Sequence, residues 1–195
     1  NDMHHALERG EFLLHYQPQV DLRSGAVLGM EALVRWQHPQ RGLVPPMEFI
    51  PLAEDSGLII PLGEWVLREA CRQTRLWHDA GFDQLRVAVN LSAVQFKQGN
   101  LIEVILAAAG DAGLPPRFLE LELTESLVMH NAEEMIETLR RLKSYELQLS
   151  IDDFGTGYSS MSYLKRFPVD RLKIDKSFTR DITSDPVDLS ISQAI

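Results

Sequence analysis

Several acidic and amide side chains stand near the ends of short apolar stretches in this sequence. Glu31 follows "AVLGM", Asn90 closes "VAVN" and Asp152 follows "LSI", while Glu122 lies in "LELEL" and Asp153 comes directly after Asp152. Carboxylates at close range repel one another, so such a group holds either a proton or a cation. These are all hard oxygen donors, with no histidine or cysteine among them, which favours Mg²⁺ or Mn²⁺ over zinc.

The adjacent pair Asp152–Asp153 suggests a second metal ion. Successive residues of a regular strand point to opposite faces, so the two carboxylates do not share a face unless the chain bends. Gly155 and Gly157 follow at once and allow a sharp bend, from which Asp153 leaves the strand. Two ions about 3.5–4 Å apart are a recurring device for hydrolysing phosphate esters. The sequence therefore predicts a two-metal hydrolysis with water as the nucleophile.

Two basic residues lie on the same predicted strands. Lys173 in "RLKID" is expected to hydrogen-bond the attacking water or a phosphate oxygen, and Arg35 in "EALVRW" to hold a phosphate with its two-pronged guanidinium. We also place Asp175, two residues after Lys173, among the substrate-binding residues. The structural alternatives are a solvated strand face for Lys173 and Asp175, and an ion pair with a neighbouring acid for Arg35.

The acidic residues have structural alternatives as well. Glu31 is compatible with an exposed edge strand, and Asp152–Asp153 with a turn signal ahead of Gly155. The apolar residues around Glu31 and the recurrence of the pattern on five strands favour chemistry over these alternatives. Glu120 alternates in phase with Glu122, but nothing else distinguishes it, and we assign it a structural role.

Strand-like and helical segments alternate along the chain, which predicts βα units and a mostly parallel sheet. The carboxyl edge of such a sheet is where ligands bind, and it collects the residues named above. The first two strands are separated only by "RSG" and predict a hairpin. The predicted strands are 12–22, 26–36, 85–92, 118–126, 147–155 and 171–178, and the predicted helices are 63–77, 100–110, 131–144 and 159–167.

Whether this sheet is doubly wound or closed into a barrel stays open on pattern alone. A barrel needs eight strands and usually about 250 residues.

Two helices carry start signals, with Asn100 and Asn131 as expected N-caps, each followed three residues later by a glutamate. The apolar face expected on the second of these helices comprises Met135, Ile136, Leu139 and Leu142.

Composition narrows the class of protein. The 195 residues are 45% hydrophobic, which is enough for one domain with a sizeable core. With 28 acidic and 19 basic residues, the net charge of −9 argues against binding duplex nucleic acid. The single cysteine, Cys71, cannot form an internal disulfide and fits a reducing compartment. No apolar run reaches the roughly 20 residues that span a bilayer, so we expect a cytoplasmic domain without membrane contacts of its own.

The motifs, taken together and in order, resemble the EAL domain, a family of cyclic di-GMP phosphodiesterases. The resemblance covers the whole chain and is specific, whereas a lone Glu-Ala-Leu would be weak. It implies an α/β fold, a modified TIM (β/α)8 barrel whose first strand is antiparallel, and metal-dependent hydrolysis of cyclic di-GMP to linear pGpG. The matching segments are "YQPQVDL", "EALVRWQHPQRGLVPPMEFIPLAE", "NLS", "ELTES", "DDFGTGYSSMSYLKRFPVDRLKID" and "KSF".

The resemblance also implies a role for individual residues. Lys173 matches the lysine that engages the catalytic water, and Glu125 matches a glutamate that steadies the loop after the aspartate pair, which in the family links metal binding to dimerisation. The matched metal ligands are Glu31, Asn90, Glu122 and Asp152, with Asp153 for the second ion; the matched substrate contacts are Gln17, Leu33 and Arg35; the matched loop residues are Gly155, Thr156 and Gly157.

The family pattern continues with a strand bearing an "EGVE"-type glutamate and a further strand bearing a glutamine, neither of which stands before Ile195. We therefore expect residues 1–195 to be a C-terminally incomplete EAL domain from a larger protein with sensor or GGDEF modules, acting as a homodimer. The alternatives are a catalytically silent cyclic di-GMP receptor and a barrel acting on another phosphate ester or on pGpG. Such receptors usually lose metal ligands. The matched ligands are all present in this sequence, which favours the enzyme.

Overall fold

The computed structural model describes residues 2–129, 132–156, 164–185, 190 and 192. The chain divides into two compact units, Asn1–Glu120 and Leu121–Ile195, called the N unit and the C unit below. No helix among these residues combines the length and the apolar character that crossing a bilayer requires.

The N unit begins with the predicted hairpin. The strands Phe12–Val20 and Val27–His38 pair antiparallel, with Gln17 opposite Glu31, and a short strand at Gly42–Val44 pairs antiparallel with the last residues of the second strand. The hairpin turn is held by Asp21, whose carboxylate accepts hydrogen bonds from the backbone N–H groups of Arg23 and Ser24. The N unit contains α1 (Asp2–Ala6), β1 (Phe12–Val20), β2 (Val27–His38), β3 (Gly42–Val44), α2 (Pro46–Ser56), α3 (Ile59–Asp79), β4 (Arg86–Asn90), α4 (Ala93–Phe96), α5 (Leu101–Asp111) and a 3₁₀ turn at Pro116–Phe118.

Strand β4 pairs parallel with β2, as the βα pattern predicts, and α3 is the crossover that packs against it. The buried side of α3 includes Leu67, Ala70 and Cys71, because these positions recur at helical spacing. At the other end of β2, the rings of Phe12 and Trp36 lie 5.8 Å apart and stack, which closes the core there. Helix and sheet thereby fix the direction in which β2 and β4 present their polar residues.

The C unit is built in the same way. Strand β5 (Leu119–Thr124) enters it from the N unit and is followed by α6 (Glu125–Met129), α7 (Ala132–Ser144), β6 (Gln148–Phe154) and β7 (Arg171–Ile174). The strand order is β5-β6-β7, with β6 and β7 parallel. The predicted apolar face of α7 is confirmed, since Met135, Ile136, Leu139 and Leu142 are all buried.

Several predicted boundaries were wrong. Helix α2 and strand β3 were not predicted, and α3 starts four residues before the predicted Gly63. The predicted strand 118–126 ends at Thr124 because Glu125 already starts α6. The predicted strand 171–178 ends at Ile174, because Asp175 then caps a 3₁₀ turn at Lys176–Phe178.

The helix caps gave mixed results. Asn100 stands at the N-cap of α5, but its side chain makes no capping hydrogen bond. Asn131, Gly157 and most of the predicted helix 159–167 lie outside the described residues. A cap that the sequence did not predict is found at α4, where Ser92 and Gln95 form a reciprocal capping box.

Candidate metal and substrate site

In the N unit the structure brings Glu31 and Asn90 together. The parallel register sets Glu31 beside Ala88, so Asn90 lies two residues further along β4 at the carboxyl end. The side-chain amide of Asn90 donates a 3.0 Å hydrogen bond from Nδ2 to Oε1 of Glu31. This donation orients the amide, and the carbonyl oxygen is then the Asn90 atom suited to a cation.

The candidate substrate residues of the N unit stand on the same hairpin. Gln17 is directly opposite Glu31 in the antiparallel register, so the two side chains share a face. Glu31, Leu33 and Arg35 alternate along β2 and therefore share that face as well. The guanidinium of Arg35 donates from Nη1 to the carbonyl of Val34 at 2.8 Å, which holds it close to the strand.

In the C unit the structure brings Glu122, Asp152 and Lys173 together. The ammonium Nζ of Lys173 lies 2.6 Å from Oε2 of Glu122 and 3.2 Å from Oδ2 of Asp152. The Glu122 side chain is 0% exposed, against 24% for Asp152 and 27% for Lys173. A fully buried carboxylate beside a second carboxylate is stable only with positive charge in contact, and Lys173 supplies it.

This carboxylate pair fits a hard divalent cation. One oxygen of Glu122 and one of Asp152 lie within 4.8 Å of each other, close enough to share an ion. Both are oxygen donors from rigid strands, the ligand type that Mg²⁺ and Mn²⁺ prefer. The pair can therefore bind a metal ion.

The bend predicted after the aspartate pair already involves Asp153. Its φ of 53° is left-handed, and the β6–β7 register shifts between Ile151 and Phe154. The change of direction therefore already begins at Asp153, inside the strand and ahead of Gly155. Aspartate tolerates this conformation better than most residues, because its short polar side chain hydrogen-bonds locally. As a result the Asp153 side chain is exposed while that of Asp152 is half-buried.

The start of the following loop is anchored by Glu125. This glutamate is 2% exposed, and its Oε2 accepts a 2.8 Å hydrogen bond from the backbone N–H of Gly155. Gly155 itself has a φ of 100°, a conformation that glycine adopts readily. Thr156 turns back and donates from its hydroxyl to the carbonyl of Asp153 at 2.8 Å. The described part of the loop is thus tied to α6 and to the aspartate pair.

Asp175 acts as a cap in this structure. Its carboxylate accepts hydrogen bonds from the hydroxyl and the backbone N–H of Ser177. The Ser177 hydroxyl, followed by the backbone N–H, lowers the pKa of Asp175 below its usual value. Its candidate role in substrate binding therefore comes in addition to a local structural one.

Sequence reasoning missed Asp170, which sets the position of β7. Its carboxylate accepts from Nζ of Lys143 at 2.7 Å and from the backbone N–H of Leu149 at 2.8 Å, and its own N–H donates to the Leu149 carbonyl. These bonds tie the residue before β7 to β6. Lys173, three residues later, is placed by them. The signal in the sequence that could have identified Asp170 was an aspartate immediately before a predicted strand.

Comparison with known proteins decides the family. A family model of the EAL domain matches residues 1–195. This chain belongs to the EAL domain family.

Two similar relatives of this EAL domain come from Pseudomonas aeruginosa. The bifunctional diguanylate cyclase/cyclic di-GMP phosphodiesterase MucR is 49% identical over 195 residues, or 100% of this chain and 28% of MucR. The cyclic di-GMP phosphodiesterase NbdA is 48% identical over 194 residues, or 100% of this chain and 25% of NbdA. The EAL domain therefore spans about a quarter of the length of these curated relatives.

A solved structure confirms the expected fold class. The complex of the MucR phosphodiesterase with c-di-GMP superposes on this EAL domain with a TM-score of 0.96 at 49% identity, covering 100% of this chain and 78% of that one. The architecture is the α/β, mostly parallel fold of EAL domains, a modified TIM barrel whose first strand is antiparallel. The antiparallel first strand is β1 of the predicted hairpin.

The signature tripeptide has a simple physical meaning in this EAL domain. Ala32 is 3% exposed and therefore faces the packed side of β2. Glu31 and Leu33 point to the opposite side, because strand residues alternate. The tripeptide thus places Glu31 and Leu33 on one face of β2 and the small residue Ala32 on the packed face.

Proposed function

We propose that this EAL domain is a metal-dependent phosphodiesterase that hydrolyses one phosphodiester bond of cyclic di-GMP and releases linear pGpG. The observation that carries the proposal is the Glu122–Asp152 carboxylate pair in contact with Lys173, on a chain 49% identical to MucR. MucR and NbdA are both named as cyclic di-GMP phosphodiesterases, and the matched MucR structure is a c-di-GMP complex.

The proposed metal ligands are the residues that match the family motifs. Glu31 and Asn90, hydrogen-bonded to each other, join Glu122 and Asp152 on one ion, and Asp153 serves a second. All are hard oxygen donors, which supports Mg²⁺ or Mn²⁺ as the cofactor. Bound divalent ions supply positive charge for the phosphate and lower the pKa of a bound water.

Protein side chains perform the remaining tasks in this proposal. Lys173 donates a hydrogen bond from Nζ to the attacking water or to a phosphate oxygen, and the Arg35 guanidinium holds the phosphate in its planar fork. Gln17 and Leu33 contact the nucleotide, and so does Asp175. Glu125 keeps the start of the loop, Gly155 and Thr156, in the position that the aspartate pair requires.

The wider setting is part of the same proposal. The relatives are about four times longer than this EAL domain, which supports attached modules such as a GGDEF or sensor domain. The bifunctional name of MucR fits such an arrangement. We propose that the domain works as a homodimer in the cytoplasm. Its buried cysteine, Cys71, would stay a free thiol in that reducing compartment.

The test is hydrolysis by the purified natural protein with Mg²⁺ or Mn²⁺, followed by chromatography of cyclic di-GMP and pGpG. Glu31→Gln keeps the size of the side chain and removes its charge, so we expect a loss of at least about 100-fold in rate, more than an outer-sphere partner costs. Glu103→Gln, on the exposed side of α5, is the matched control and should leave the rate unchanged.

Three outcomes separate the candidate functions. Conversion of cyclic di-GMP to pGpG that depends on Glu31 supports the proposal. Tight binding of cyclic di-GMP without turnover, after long incubation with metal, contradicts it and identifies a receptor. Turnover of pGpG or another phosphate ester, with cyclic di-GMP untouched, contradicts the proposed substrate.

A further inference from the structure

We propose that Lys173 is an internal counter-cation of the Glu122–Asp152 pair, and that a divalent metal ion binds there only by displacing its ammonium group. This inference rests on the proposed metal site. It assigns Lys173 a role in metal affinity that is separate from its contact with water or phosphate.

The first support is the geometry of the three side chains. Nζ of Lys173 is 2.6 Å from Oε2 of Glu122 and 3.2 Å from Oδ2 of Asp152, so one ammonium group bonds to both carboxylates. The shorter distance is that of a charge-assisted hydrogen bond, the stronger class. The ammonium group therefore occupies the side of the pair on which the two oxygens converge.

The second support is burial. Glu122 has no exposed side-chain surface, so water does not neutralise its charge, and a buried carboxylate requires a positive partner. Lys173 keeps 27% of its side chain exposed. The lysine is thus able to swing toward solvent, whereas the glutamate is confined. Exchange of one cation for another at this position requires only the lysine side chain to move.

The third support is the incompatibility of the two cations. Mg²⁺ sits about 2.0–2.1 Å from a carboxylate oxygen. An ammonium group bonded to the same oxygens would then lie against a doubly charged ion, and the two positive charges repel strongly at such distances. Metal binding therefore works against the Lys173 contacts, and the measured metal affinity includes the free energy of breaking them.

The backbone restricts where the displaced group goes. Leu172 is level with Ile151 in the parallel register, and Asp170 ties the start of β7 to β6. Lys173 is therefore held at the level of Asp152, and its ammonium remains within reach of the ligands around a bound ion. Metal binding thereby transfers Lys173 from the carboxylates to the water or phosphate oxygen that it is proposed to contact.

A purely structural salt bridge predicts a different response to mutation. If Lys173 only held the carboxylates in place, its removal would disorder them and weaken metal binding. If it competes with the metal, its removal strengthens metal binding. The sign of the change in affinity therefore distinguishes the two roles, and hydrolytic activity is not needed as a readout.

The experiment measures Mn²⁺ binding to the natural full-length protein by calorimetry, without nucleotide. Lys173→Met keeps an unbranched side chain, one atom shorter, and removes the charge. We expect the Kd for Mn²⁺ to become about tenfold tighter, equivalent to about 1.4 kcal/mol. The rise in melting temperature on adding Mn²⁺ should also be larger than in the wild type. Lys176→Met, which removes an exposed charge from the 3₁₀ turn, is the matched control and should leave the Kd unchanged.

Each other result counts against the inference. An unchanged or weaker Kd in Lys173→Met, with normal binding by the wild type, overturns the counter-cation role and leaves the proposed function intact. Absence of Mn²⁺ binding by the wild type overturns both. If Lys173→Met does not fold without metal, Lys173→Gln, whose neutral amide still donates a hydrogen bond to Glu122, serves for the same comparison.

Discussion

The hydrogen bond between Asn90 and Glu31 gives a prediction whose size follows from the structure. Asn90→Asp keeps the shape of the side chain but puts an oxygen where Nδ2 now donates to Glu31 at 3.0 Å. The lost hydrogen bond costs roughly 1 kcal/mol. Two unit charges about 3 Å apart in water-like surroundings repel by about 1.4 kcal/mol. We expect Asn90→Asp to lower the free energy of unfolding by about 2 kcal/mol in total.

Two further variants separate these contributions. Asn90→Ala loses the hydrogen bond without adding charge and should cost roughly 1 kcal/mol. The exchange Glu31→Gln with Asn90→Asp restores one donor and one carboxylate with their direction reversed. The free energy of unfolding of this double variant should lie within about 0.5 kcal/mol of the wild-type value, so the effects of the two substitutions are strongly coupled.

Urea unfolding in the presence of a chelator, followed by tryptophan fluorescence, is a suitable assay. All three tryptophans, Trp36, Trp65 and Trp77, lie in the N unit together with Asn90 and Glu31. The signal therefore reports the unit that carries the contact. The reasoning is refuted if Asn90→Asp costs no more than Asn90→Ala, or if the exchange variant is as unstable as the sum of its single substitutions.

Two other predictions concern stability and reactivity. Glu146, just after α7, has a φ of 65°, so Glu146→Gly should raise the free energy of unfolding by roughly 0.5–1 kcal/mol, since glycine adopts this conformation without strain. Glu134→Gly inside α7 should instead lower it by about 1 kcal/mol, and a stabilising result there would contradict the backbone explanation. Burial raises the pKa of the Cys71 thiol to about 12, so at pH 8 it should react with iodoacetamide only after unfolding. Mass spectrometry that finds rapid native-state labelling would show that α3 is not packed as described.

Local patterns in the sequence were sufficient for much of the fold. Alternating strands around "RSG" gave the hairpin, and the 3.6-residue spacing of Met135, Ile136, Leu139 and Leu142 gave the buried face of α7. Such features depend on neighbours in the chain, so their physical cause is visible in the order of residues. Helix α2 was not predicted, because prolines at positions 45, 46 and 51 suggest a break in a helix. Pro46, however, is in the first turn of α2, where proline is tolerated.

The residue types of the site were also readable, because hard oxygen donors at strand ends indicate divalent-cation chemistry before any contact is known. The sequence did not show which side chains of the site neutralise one another's charge. Lys173 contacts Glu122 across 51 positions of sequence, and Asn90 contacts Glu31 across 59. Those contacts depend on strand register, on the Asp170 tether and on the left-handed backbone at Asp153, and residue order alone does not encode distances between segments so far apart.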